Sequence, residues 1–392
     1  MINNIFKKIN EYIKKNNILL LCVTLYITLF CLVFWLLGNR CFEINNDALY
    51  QYEIFYKEWI NILSKFISTG KFNTYSFNLF LGTDFYSTMM NCIGDVFLPI
   101  VLLFKGDISL ALLVEIILCL YISSISMSLF LSKKGIIRKE TIIYISLIYA
   151  IGGQATLFIT NVMFYRFYAI LPLLFLGTEI YFKSGKRTLF IIVAFILFIS
   201  SYYLMYMTLI FLFFYSLFEC LSNNYSIKEI VKHFFKLLFS LLIAFSMSCV
   251  VTLPAIVSIS GNAASRHNNN HLFWEINSIL GIFSSTIIPN PVSAIPTLFN
   301  LVYDSHGSEY NLFITIIPMS IILLNINDKN NRKRNVLLII LFIIAIIKPL
   351  NLLMHASIPS LRWLFLLYFY MLYLAAIYIW IKRIIKENYL FV

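Results

Sequence analysis

The sequence predicts an all-α polytopic membrane protein of about ten transmembrane helices, with interfacial helices in its first outer loop. Three observations carry that class. Of 392 residues, 60% are hydrophobic and only 12% are charged, whereas a soluble domain is about a quarter charged because its surface must stay wet. Apolar runs of about 15 to 24 residues recur along the chain, close to the helix length that crosses a hydrocarbon core about 30 Å thick. These runs lack the polar–apolar alternation of a spanning β-barrel.

Lys7, Lys8, Lys14 and Lys15 precede the first run, Ile18 to Leu37. That run is long for a signal peptide and no small-x-small cleavage site follows, so it reads as a retained signal anchor. The predicted spans are 18–37, 108–131, 141–160, 166–182, 188–203, 205–221, 237–258, 311–325, 336–353 and 361–381. An even number places both termini on one side. A net charge of +12 would suggest a nucleic-acid partner in a soluble chain, but the placement of the charges argues for none. Of 30 basic residues, 21 fall in six segments on one predicted side, among them Lys133–Lys139, Lys183–Arg187 and Lys329–Arg334. The positive-inside rule makes that side, and both termini, cytoplasmic.

The chain reads as one transmembrane domain over 1–392, with long outer segments at about 39–107 and 260–310. In the first, Tyr52, Phe55, Tyr56, Trp59, Leu63 and Phe66 recur at helical spacing, as in an amphipathic helix lying in the interface. Val96–Phe104 is too short to span and dips into or caps the membrane. The second carries Asn268–Asn270 and a Pro-rich stretch, Pro289–Pro296. No repeat appears. The seven cysteines form no CxxC pair; Cys41 and Cys92 both fall on the outer side, where a disulfide can form.

Eleven of the 18 acids lie on or near the outer side. Asp47, in NNDALYQYEIF, can act as a general base toward a hydroxyl acceptor or cap a helix, and the two roles are compatible. Glu53 and Glu58 fit the solvated face of the interfacial helix. Arg166, Arg266 and Arg362 stand at outer mouths, against the positive-inside trend. Each can hold a phosphate through paired hydrogen bonds or snorkel to headgroups. Asp84 and Asp95 can serve a divalent metal or cap local turns. His267 and His271 straddle three asparagines and suggest a loop rather than a metal site. Without a glycine-rich phosphate loop, GxSxG or HExxH, nucleotide or serine chemistry has no support and no cofactor is certain.

Six stretches, in order over about 330 residues, resemble the YfhO family of bacterial membrane proteins, which are similar to the GT-C class of glycosyltransferases. They are Asp47 with Gln51–Tyr52; FNLFLGTDF, ending at Phe85; NVMFYRFYAILPLLFLG; SSYYLMYM; EYNLFITIIPMSIILL; and Arg362–Trp363. The resemblance implies transfer of a sugar from a polyprenyl-phosphate carrier to a cell-envelope glycan or teichoic-acid-like acceptor outside the membrane. It makes Asp47 the catalytic carboxylate and Arg362 the best match for gripping the lipid phosphate, with Arg266 beside it. Gln51, Tyr52, Asp84, Tyr203 and Trp363 join Arg166 as substrate-binding expectations; Tyr203 and Trp363 fit either sugar stacking or an interfacial aromatic belt. Two departures stand out. Many members carry an acid where this chain has Arg166, and typical members run on well past the R-W span. The alternatives are a flippase or transporter of lipid-linked saccharide and an envelope polysaccharide polymerase.

Overall fold

A computed structural model describes residues 17–36, 52–77, 82–93, 96–104, 107–136, 138–159, 161–260, 282–283, 285–286, 312–355 and 360–390. Its helices are α1 (Asn17–Leu36), α2 (Glu53–Thr69), α3 (Phe85–Ile93), α4 (Leu98–Leu103), α5 (Ile108–Lys134), α6 (Lys139–Ile151), α7 (Gly153–Ile159) and α8 (Val162–Ser184). They continue with α9 (Thr188–Ser200), α10 (Tyr202–Ser222), α11 (Ile227–Ser260), α12 (Ile316–Leu324), α13 (Arg332–Ile346), α14 (Lys348–His355) and α15 (Leu364–Leu390). One two-residue hairpin, β1 (Tyr75–Ser76) with β2 (Thr83–Asp84), precedes α3.

The all-α class holds, whereas the count of ten spans is not confirmed. Among the described residues, five helical segments are long and apolar enough to cross a membrane: Ile108–Lys134, Lys139–Ile159, Val162–Ser184, Tyr202–Ser222 and Ile227–Ser258. Asn17–Leu32, Thr188–Ser200 and Leu364–Ile379 are shorter apolar helices. The expected span 311–325 has only nine helical residues, α12, and residues 312–315 before it are not helical. The expected span 336–353 breaks at Ile347, with Pro349 in the first turn of α14, where its missing N–H costs nothing. α8 is the most enclosed of the five long segments. α15 is buried on every side from Leu364 to Ile377, as expected of a helix apolar all round. α11 instead turns Phe235, Leu238, Phe239, Leu242, Val250 and Val257 outward.

Backbone breaks inside an apolar bundle leave carbonyls that water cannot reach, and each must find a donor within the protein. Tyrosines supply them here. Pro172 in α8 has no N–H for the carbonyl four residues back, Tyr168 O; Tyr149 Oη donates to it at 2.7 Å. α6 stops at Gly152, whose successor Gly153 turns its N–H to Phe313 O at 3.2 Å. The last α6 carbonyls are then met by phenols: Tyr168 Oη to Tyr149 O at 2.7 Å, Tyr165 Oη to Ala150 O at 3.2 Å and Tyr368 Oη to Ile148 O at 2.9 Å. Only glycine fits at 152, because a Cβ would collide with Tyr368 Oη and Ile148 O. In α11, Pro254 orphans Val250 O, and Tyr86 Oη of α3 fills it at 2.9 Å.

Replacing Tyr149 or Tyr168 by Phe leaves a buried carbonyl unmet. Each change is expected to cost about 1–3 kcal/mol, read as a lower thermal midpoint in detergent. An unchanged midpoint for both would show that these bonds do not hold the break.

Candidate functional site

Of the residues expected at the site, Tyr52, Tyr203 and Arg362 gather around the start of α8, at the predicted outer end of the bundle. Asn161, just before α8, accepts a hydrogen bond from Tyr52 Oη at 2.5 Å. One turn further, Phe164 carries the Arg362 guanidinium over its ring, with 5.9 Å to the centroid. Tyr203 stacks on the same Phe164 at 6.5 Å and 29°, and Phe158 meets it edge-on at 5.7 Å. Arg362 is exposed, Tyr203 half-buried and Phe164 buried. An aromatic shelf with one cation above it can bind an anionic headgroup carrying an apolar or sugar substituent.

Arg166, expected at the mouth, is instead 1% exposed. Its Nε donates to Glu115 Oε2 at 3.0 Å and a terminal nitrogen to the same oxygen at 2.5 Å, while Tyr56 Oη accepts another N–H from it. The guanidinium also stacks over Tyr56 and Phe97, at 5.7 and 5.9 Å. Glu115 lies seven residues into α5, about 10 Å along its axis. A charge pair at that depth is sustained by mutual compensation, and losing one partner strands the other. Through Tyr52 and Tyr56, the start of α2 is fastened to α8. The predicted amphipathic helix does bury Phe55, Tyr56, Trp59 and Ile62.

Trp363 is likewise in the core. It is fully buried, and its indole N–H donates to Asn351 Oδ1 at 2.6 Å. Asn351 Nδ2 in turn donates to Ile344 O at 2.7 Å and Ala345 O at 3.2 Å, carbonyls freed where α13 ends. Its neighbour Arg362 points out, so the R-W pair joins a surface cation to a core anchor.

Asp84 works locally. Its carboxylate accepts from Thr74 Oγ1 at 2.5 Å and from Ser87 N at 3.0 Å, the second bond capping α3. Burial works against its ionisation, but the hydrogen bonds from Thr74 and Ser87 outweigh it and hold the carboxyl below its ordinary value near 3.8. Asp47, Gln51, Asp95, Arg266, His267, His271 and Cys41, and with Cys41 its pairing to Cys92, lie outside the described residues. Among the described residues no three His, Cys, Asp or Glu converge as a metal set.

The Glu115–Arg166 pair was missed from sequence because its partners stand 51 residues apart. The signal was present: an acid and a base occur at matching depth near the starts of two spans that run in the same direction.

Fold and site together define a helical membrane protein with an exposed cation over an aromatic shelf at one end of its bundle. A family model described as bacterial membrane protein YfhO matches residues 18–390, nearly the whole chain, and the protein belongs to that family. No curated protein and no solved structure matches it.

Two outcomes follow. Arg166→Met alone is expected to cost about 3–5 kcal/mol, because it strands a buried carboxylate, whereas Glu115→Leu with Arg166→Met recovers most of that. Thermal unfolding of the two variants checks it, and equal losses would contradict the pairing. For Asp84 the depressed carboxyl sets the sign: its charge stabilises α3 above the ordinary value and loses that effect as pH falls through the lower, folded value. The stability gap between wild type and Asp84→Asn should therefore be flat near neutrality and close below about pH 4. A gap unchanged at pH 3 would contradict it.

Proposed function

We propose that the protein transfers a sugar from a polyprenyl-phosphate donor to a cell-envelope acceptor on the outer side of the membrane. The observation that carries this reading is the shelf on α8, where exposed Arg362 stands over Phe164 beside Tyr203. Arg362 grips the donor phosphate, with Arg266 as its second cation, and Tyr203 stacks on the sugar. Asp47 is the general base that takes the acceptor hydroxyl's proton as that oxygen attacks the anomeric carbon and the polyprenyl phosphate leaves.

The anchoring of the first loop supports the assignment. Asp47 stands five residues before Tyr52, a chain length of at most about 18 Å, and Tyr52 is bonded to Asn161, three residues from Phe164. Asp47 is thus tethered to the turn that carries the shelf. Gln51, beside Tyr52, orients the acceptor. Arg166 and Trp363 hold the shelf from beneath, and Asp84 fixes the hairpin before α3. A donor already carried across the membrane fits a site facing away from ATP and nucleotide sugars, and both apolar tail and acceptor reach it at headgroup level.

The test is sugar incorporation into the envelope by cells carrying Asp47→Asn or Arg362→Ala at wild-type expression. The first should fall by about 10²–10⁴, the range of a lost general base, and the second should raise the donor requirement. Undiminished incorporation in Asp47→Asn would overturn the transferase. Donor lipid that still changes leaflet in a reconstituted vesicle, with no transfer in wild type, would favour the transporter.

A further inference from the structure

At the opposite end of the bundle, the end the sequence assigns to the cytoplasm, five helices meet around a charged core. Lys134, closing α5, pairs with Glu179 of α8 at 2.7 Å and Glu219 of α10 at 2.8 Å. Arg334 of α13 pairs with Glu219 at 3.0 Å through Nε and 3.2 Å through a terminal nitrogen. Tyr215 Oη donates to Glu179 at 3.0 Å and Tyr373 Oη of α15 to Glu219 at 2.8 Å. The Lys134 ammonium lies over the Tyr215 and Tyr373 rings at 5.2 and 5.0 Å. A cavity of about 190 Å³ opens beside this core, lined by Lys134, Glu179, Lys183, Glu219, Asn223 and Arg334 among others.

The hydrogen-bond accounting of this cavity is lopsided. Each carboxylate is already engaged by a cation and a tyrosine. The cations keep donors in hand: of the five N–H groups of a guanidinium, Arg334 gives two to Glu219 and one to Asn331 among the described residues. Lys183 gives one of three, to Lys133 O. Three cations against two carboxylates leave the lining net positive. Lys134, Glu179 and Glu219 have side chains no more than 8% exposed, so the floor is built in rather than a mobile surface patch. Basic pockets between transmembrane helices on the cytoplasmic side are where anionic headgroups bind.

We propose that this cavity is a phosphate-binding site, and that its ligand is the phosphodiester of an anionic phospholipid from the adjoining leaflet. Lys183 and Arg334 donate to the phosphate oxygens, Asn223 edges the mouth, and Lys134 holds the two carboxylates back. The site lies at the far end of the bundle from the shelf and does not depend on the transferase reading.

The experiment uses the full chain in nanodiscs of phosphatidylcholine, alone or with phosphatidylglycerol, and reads the thermal midpoint against lipid fraction. Lys183→Glu removes a lining donor at an exposed position; Lys186→Glu makes the same charge change on the same face without lining the cavity. Phosphatidylglycerol should stabilise wild type and Lys186→Glu alike, and Lys183→Glu should need about fivefold more or worse, the weight of about one basic residue at an anionic surface. Inorganic phosphate added to pure phosphatidylcholine discs separates the sources. Protection of wild type but not Lys183→Glu by phosphate as well as lipid supports the phosphate site and makes its ligand a free anion. Equal response of both variants to lipid and to phosphate would mean diffuse surface charge and overturn the site.

Discussion

The constraint on which this fold depends is that hydrocarbon offers no hydrogen bonds. A soluble helix that meets a proline or stops short can turn its spare carbonyls to water. Here Pro172, Pro254 and the breaks at Gly152 and Ile347 lie within apolar segments, and at each a side chain from another element donates to a backbone carbonyl. Tyrosine suits the task, because its ring packs like any core aromatic and its hydroxyl can reach a carbonyl of a neighbouring helix. The reciprocal pair Tyr149–Tyr168, stacked at 4.2 Å and 15° while each donates to the other's carbonyl, locks α6 to α8 at the point where both are interrupted.

That lock has a consequence for the end of the bundle that carries the shelf. α8 is fixed at Tyr168 and again at Arg166, whose charge is compensated by Glu115, so the turn from Asn161 to Phe164 is held from below. Tyr52 and Tyr56 draw the first outer loop onto the same turn, and Arg362 reaches over it from the start of α15, where Trp363 is pinned by Asn351. Groups already held by such contacts cost less to order when a ligand binds.

Much of the fold could be read from sequence, because long apolar runs and clustered lysines leave few alternatives. The span count could not. Residues 336–353 form one apolar run and look like one span, and only the fold shows the break at Ile347. Arg166 and Trp363 were read as surface groups for the same reason: a position at a span's end says nothing of which way its side chain points. Glu115 is what draws Arg166 inward, and Asn351 is what draws Trp363. Tyr52 was legible from the family pattern, but its bond to Asn161 joins residues 109 apart and has no local signature. The inner charged core escaped notice because Glu179 and Glu219, taken singly, are acids near span ends, and only the fold sets Lys134 between them.

The central claim is that the turn of α8 beneath Arg362 receives a polyprenyl phosphate. A polyprenyl-phosphate analogue carrying a photoreactive group next to the phosphate, cross-linked in native membranes and mapped by peptide mass spectrometry, tests it most directly. The account predicts adducts on Phe158–Phe164, Tyr203 and the segment around Arg362, competed away by unlabelled donor. Adducts confined to the outward face of α11, or to the inner charged core, would contradict it.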